Sequence, residues 1–127
     1  MRNFWLPAFA AISIAALPSV VLAHVKLVGS TPAANSSVAK PGRIMLQFSE
    51  KLIAATTKTE VIMTAMPGMA NHGAMKISGY TSQMGKDGKS MILTMKRALV
   101  PGTYVVKWSS AGADTHRMGS EFSFIVK

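Results

Sequence analysis

The chain has 127 residues, no cysteine and a formal net charge of +9. The length suffices for one domain with its own core but not for two, and the lack of thiols excludes a disulfide framework and a thiolate metal site. The basic balance would suit nucleic acid, yet its 14 Lys and Arg are dispersed without a run, as on solvated strand faces and guarded sheet edges.

Residues 1–23 read as a secretory signal peptide. Arg2 gives a positive start, residues 4–17 an apolar segment, and Val21-Leu22-Ala23 a small-residue cleavage site. The alternative is an uncleaved anchor, but Pro7, Pro18 and the cleavage-like end favour removal. Export sets nucleic acid aside as a partner and makes an anionic surface or an acidic protein the better match for the charge. Cleavage after Ala23 leaves residues 24–127 as a single domain with His24 at its terminus. A terminal His offers its α-amine and imidazole Nδ1 together, closing a six-membered chelate ring. Nitrogen donors of this kind suit Cu(II), and binding must displace a proton from the amine.

The expected elements are short strands. Residues 25–28 form the first, and 43–48 alternate with Ile44, Leu46 and Phe48 on one face. Residues 52–55 have room for a helical turn. Strands at 59–64 and 75–81 lead into and out of a methionine-rich stretch, and Gly85-Lys86-Asp87-Gly88 reads as a hairpin turn before a strand at 90–95. Pro101-Gly102 opens residues 103–108, with Tyr104, Val106 and Trp108 on one face; Phe122, Phe124 and Val126 share a face of 121–126. About seven such strands separated by turn residues predict an all-β fold, a sandwich or small Greek-key barrel.

The stretch between the third and fourth strands carries the strongest chemical signal. Met63, Met66, Met69, His72 and Met75 recur every three residues. Pro67-Gly68 and Asn71-His72-Gly73 oppose a helix, and a strand would alternate with a period of two. A methionine loop results, and converging thioethers are soft donors suited to Cu(I). Adaptable hydrophobic packing is the other use of Met. Near the C-terminus, Asp114 and His116 are two apart, so extended backbone projects them to one side. With His24 they make a donor set for Cu(II), provided the first and last strands are neighbours. Taken singly, Asp114 is an ordinary turn residue after Gly112 and His116 a surface imidazole.

From His24 onward the chain resembles the CopC/PcoC family of periplasmic copper-resistance proteins. The resemblance is carried by His24, Gly29-Ser30-Thr31-Pro32-Ala33, Leu46-Gln47-Phe48-Ser49-Glu50 and the methionine loop. Pro101-Gly102-Thr103-Tyr104-Val105-Val106-Lys107-Trp108, Asp114-x-His116, Gly119 and Phe122-Ser123-Phe124 complete it. It implies an immunoglobulin-like Greek-key β-barrel of seven to nine strands with separated Cu(II) and Cu(I) sites. His24, Asp114 and His116 would bind Cu(II), with Glu50 as a further carboxylate. Met63, Met66, Met69, His72 and Met75 would supply Cu(I) ligands. Thr115 departs from relatives that have Gly there, which stiffens the backbone between two ligands.

The resemblance further implies a monomeric periplasmic copper carrier rather than an enzyme, with no catalytic residue. Its partner would be a periplasmic or inner-membrane copper-handling protein. The competing enzyme is a histidine-brace copper monooxygenase, against which an equatorial Asp114 would close the open site that oxygen needs. The third alternative is a metal-free β-sandwich interaction module with a sticky methionine surface.

Overall fold

Alternation of apolar and polar residues is locally encoded, and it sets most strands of the computed structural model, which describes residues 24–69, 73–111 and 116–127. Among these, nine strands follow in chain order: β1 (Leu27–Thr31), β2 (Ser37–Val38), β3 (Arg43–Phe48), β4 (Lys58–Ala65), β5 (Met75–Ile77), β6 (Tyr80–Met84), β7 (Ser90–Met95), β8 (Gly102–Ala111) and β9 (Arg117–Val126). The helical element is a single 3-10 turn, Ala54–Thr56. The strands form two sheets, one of four in the order β1-β3-β7-β6 and one of five in the order β2-β9-β8-β4-β5. This is the expected all-β sandwich. Among the described residues no helix is long and apolar enough to cross a membrane.

The two inner faces make one core. β8 buries Tyr104, Val106 and Trp108 on one side, as its alternation requires. These pack with Phe122, Phe124 and Val126 of β9 and with Ile44, Leu46 and Phe48 of β3. Each fully buried aliphatic or aromatic side chain contributes about 1.5–3 kcal/mol of transfer free energy, so this shared face stabilises the pairing of the sheets. Phe48 meets Trp108 edge to face at 4.8 Å between ring centroids, a contact between the two sheets. Tyr104 stacks on Phe124 at 5.7 Å. The Tyr104 hydroxyl donates to Val100 O at 2.6 Å, fastening the β7–β8 connection, and burial holds its phenol above the usual pKa. Gly102 faces Ala65 so closely that a Cβ would lie 2.6 Å from the Ala65 carbonyl oxygen. β4 and β8 therefore approach tightly where β4 ends.

The expected strand at 75–81 divides in two. Ile77 ends β5 in the five-stranded sheet, and Tyr80 begins β6 in the other. The corner at Ser78-Gly79 is closed by Tyr80 N–H donating to Ser78 O at 3.0 Å. The first strand begins two residues later than expected, although Val25 before it is buried. β8 and β9 both extend toward their shared hairpin.

Candidate functional site

His116 stands immediately before β9, so its placement follows from the β8–β9 hairpin. The last rung of that hairpin pairs Ala111 with Arg117. Thr56 clasps the rung: its hydroxyl donates to Ala111 O at 3.0 Å and accepts from Ala111 N–H at 3.3 Å. The Arg117 guanidinium donates to Thr56 O at 3.1 Å and to Ser109 Oγ at 2.9 Å. One residue further in, the buried Ser110 hydroxyl finds Thr57 Oγ1 at 3.0 Å. His116, itself exposed, thus springs from a braced base. Sequence reasoning does not find Thr56 and Arg117 as positioning residues because the bonds that tie them together, Thr56 to Ala111 and Arg117 to Thr56, span more than fifty residues.

His24 arrives from the other sheet. It is exposed and precedes β1, whose Leu27 faces Phe48. Reciprocal bonds, Lys26 N–H to Ser49 Oγ at 3.0 Å and Ser49 N–H to Lys26 O at 2.9 Å, hold that segment against the end of β3. Since Phe48 touches Trp108, the chain beyond Phe48, the residues before Leu27 and the Ala111–Arg117 rung all lie at one end of the sandwich. His24, the exposed Glu50 and His116 belong to that end. The expected neighbouring of first and last strands does not occur. β1 is an edge of the four-stranded sheet, and β9 lies between β2 and β8 in the other. The route from His24 to His116 crosses the sandwich rather than following a shared ladder. Asp114 and Thr115 lie outside the described residues, as does the segment 1–23. Among the described residues no group of three or more His, Asp and Glu side chains comes together.

The methionines leave β4 at the opposite end. β4 runs antiparallel to β8, with Lys58 facing Ser109 and Ala65 facing Thr103. From Thr103 to Ala111 the strand covers about 26 Å at roughly 3.3 Å per residue. Met66-Pro67-Gly68-Met69 is a type II turn, with Gly68 at φ +76° and Met69 N–H donating to Met66 O at 3.1 Å. Pro presets the first central position of such a turn, and Gly supplies the positive φ of the second. Met66 and Met69 become bridge partners, a relation that sets Cβ atoms about 4.5–5.5 Å apart. Met66 is half-buried, while Met69 is 54% exposed. Met75 is exposed on β5, directly opposite Met63.

Met63 itself belongs to the core, at 3% exposure. The three-residue period therefore does not trace one loop. It joins a core residue of β4, the two corners of a turn and a residue of the edge strand β5. His72 lies outside the described residues. Among the described residues this end therefore presents Met66 beside Met69 and Met75 opposite Met63, whereas the other end presents His24, Glu50 and His116.

The CopC domain matches residues 27–127, from the first residue of β1 to the end of the chain. Copper resistance protein C of Pseudomonas syringae pv. tomato is 43% identical over 105 residues, which cover 83% of this chain and 82% of that protein. Copper resistance protein C of Escherichia coli is 38% identical over 106 residues, covering 84% and 83%. The crystal structure of PcoC, a methionine-rich copper resistance protein from Escherichia coli, matches with a TM-score of 0.75 at 36% identity. It covers 83% of this chain and 100% of that one. A match that runs through every strand, together with a common fold at this identity, makes the chain a member of the CopC domain family.

Proposed function

We propose that this protein is a copper carrier that holds the two oxidation states at opposite ends of one sandwich and passes the ion to a partner in the periplasm. Cu(II) would bind the amine and imidazole of a mature terminal His24, with Asp114 and His116, and Glu50 as an additional carboxylate. Cu(I) would bind thioethers of Met66, Met69 and Met75, with His72 and Met63 as the remaining donors of the row. The observation that carries this reading is the segregation of donor chemistry: imidazoles at one end, paired thioethers at the other, about 26 Å apart along β8. The relatives named as copper resistance proteins support copper as the cargo. The carrier is monomeric and performs no turnover in this reading.

The test is an EPR-monitored Cu(II) titration of the protein beginning at His24. One equivalent giving an axial signal with nitrogen couplings is expected. His24→Ala, or one residue added before His24, should abolish that signal and spare Cu(I) binding. Met66→Leu combined with Met69→Leu should do the reverse. Unchanged Cu(II) affinity in both amino-terminal variants would sink the proposed site. Oxygen consumption by the copper-loaded protein, with reductant and a glycan, would replace the carrier with an oxidase.

A further inference from the structure

The connection between β7 and β8 reads Lys96-Arg97-Ala98-Leu99-Val100-Pro101, two adjacent cations followed by three apolar residues and a proline. It is fastened at both ends. Lys96 N–H donates to Gly79 O at 2.8 Å, and Val100 O accepts from the Tyr104 hydroxyl. Leu99 is buried in the core, which leaves Val100 beside it 51% exposed. Facing this connection is β5, the last strand of the five-stranded sheet. β5 pairs with β4 through Val61↔Ile77, Ile62↔Lys76 and Met63↔Met75. Among the described residues no strand covers its other side.

Between the two lies a cleft of about 390 Å³. Buried Met63, Leu99 and Tyr104 line it together with exposed Met75 and Val100. Among the described residues no Asp or Glu lines it, while Lys76, Lys96 and Arg97 do. Lys76 is held by Glu60 at 3.1 Å. Among the described residues neither Lys96 nor Arg97 is in an ion pair. An occupant must therefore bring apolar surface for the lining and negative charge for these two cations. The uncovered edge of β5 adds main-chain donors and acceptors in an extended row, which a peptide strand satisfies and a lipid does not.

We propose that this cleft docks an extended acidic and aliphatic segment of a protein partner, added as a strand to β5, with carboxylates set against Lys96 and Arg97. Alternate side chains of such a strand point the same way, so aliphatic residues enter the cleft at every second position. The anchoring of the 96–100 connection presents the cleft preformed, which lowers the ordering cost of binding. The surface stands without any metal. If the carrier reading also holds, the docked segment lies against Met75, a donor of the soft site.

The experiment is a ¹⁵N chemical-shift titration of the metal-free protein, so that its result is independent of copper. The probe is a capped hexapeptide alternating Glu with Val and Leu. Shifts are expected at the amides of residues 75–79 and 96–100. The double variant Lys96→Glu, Arg97→Glu should weaken binding by about tenfold or more. Val100→Asp, at an exposed position, should weaken it as well. Lys58→Glu, on the outer face of the sheet, should leave it unchanged. Absence of shifts at β5, equal binding of a peptide with Lys in place of Glu, or unaltered binding by the double variant would overturn the proposal. So would perturbation of the same amides by anionic phosphatidylglycerol vesicles but not by the peptide, which would assign the surface to a membrane.

Discussion

Asp87 shows how one side chain sets a hairpin. Its carboxylate accepts from Lys89 N–H at 2.9 Å, from the Ser90 hydroxyl at 3.0 Å and, more weakly, from the Gln47 amide at 3.4 Å. Gly88 beside it takes φ +69°, which a side chain would resist. The Lys89 backbone bond, then the Ser90 hydroxyl, hold the carboxyl below its ordinary pKa. A pKa lower in the folded than in the unfolded chain stabilises fully above the unfolded value of about 3.9, and the contribution is lost as pH falls through the folded value. Asp87→Asn removes that titration. The difference in Tm between wild type and variant should therefore stay level from neutral pH to about 5 and shrink below about 4. Thermal melts across that range check it, and a difference undiminished at the acid end would contradict the assignment.

The turn after β4 carries Met66 and Met69, two of the proposed Cu(I) donors, and its geometry rests on Gly68. An alanine there keeps open space around its Cβ but must still adopt φ +76°, at about 1 kcal/mol. Gly68→Ala should lower stability by that amount and weaken binding of Ag(I), a redox-stable stand-in for Cu(I), by roughly fivefold. Cu(II) binding should not change. A loss of stability with Ag(I) affinity intact would detach the metal from the turn. The break at Pro67-Gly68 was legible as an end to regular structure, but not the turn that pairs Met66 with Met69; β3, β7, β8 and β9 were legible because a period of two is local. Sheet membership was not. The stretch 75–81 reads as one strand although the chain changes sheets at Ser78-Gly79, and Ile77 and Tyr80, three residues apart and so out of phase, both pack on the core. β2 left no local trace, since its two residues pair in parallel with β9, next to Asn35 N–H donating to Ser123 O at 2.7 Å. The burial of Met63 was hidden for a related reason. A core methionine of β4 falls by position into the same period as two turn methionines.

Across the whole molecule, what matters is the distance between the ends and the stiffness of what joins them. Trp108 is the only tryptophan of residues 24–127 and is 4% exposed. Along β8 it lies about 10 Å from Ala111, at the His116 end, and about 17 Å from Thr103, at the methionine end. Cu(II) is paramagnetic and quenches an indole over short range, so one equivalent should strongly reduce Trp108 emission. Ag(I) bound at the methionine turn should leave it unchanged. Between the ends run the β4–β8 ladder, whose register shifts between Met63 and Ala65, and the unbroken β8–β9 ladder, both against one packed core; coupling over such a distance requires an element with two discrete arrangements, and the carrier reading invokes none. Filling one site should then alter the Kd of the other by less than about twofold, a coupling under about 0.4 kcal/mol. Coupling is reciprocal, so titrating Cu(II) into the Ag(I)-loaded protein and Ag(I) into the Cu(II)-loaded protein must give the same factor. Quenching by Ag(I), or a factor well above five in both orders, would mean that the ends communicate through the sandwich, and that one ion's arrival prepares or evicts the other.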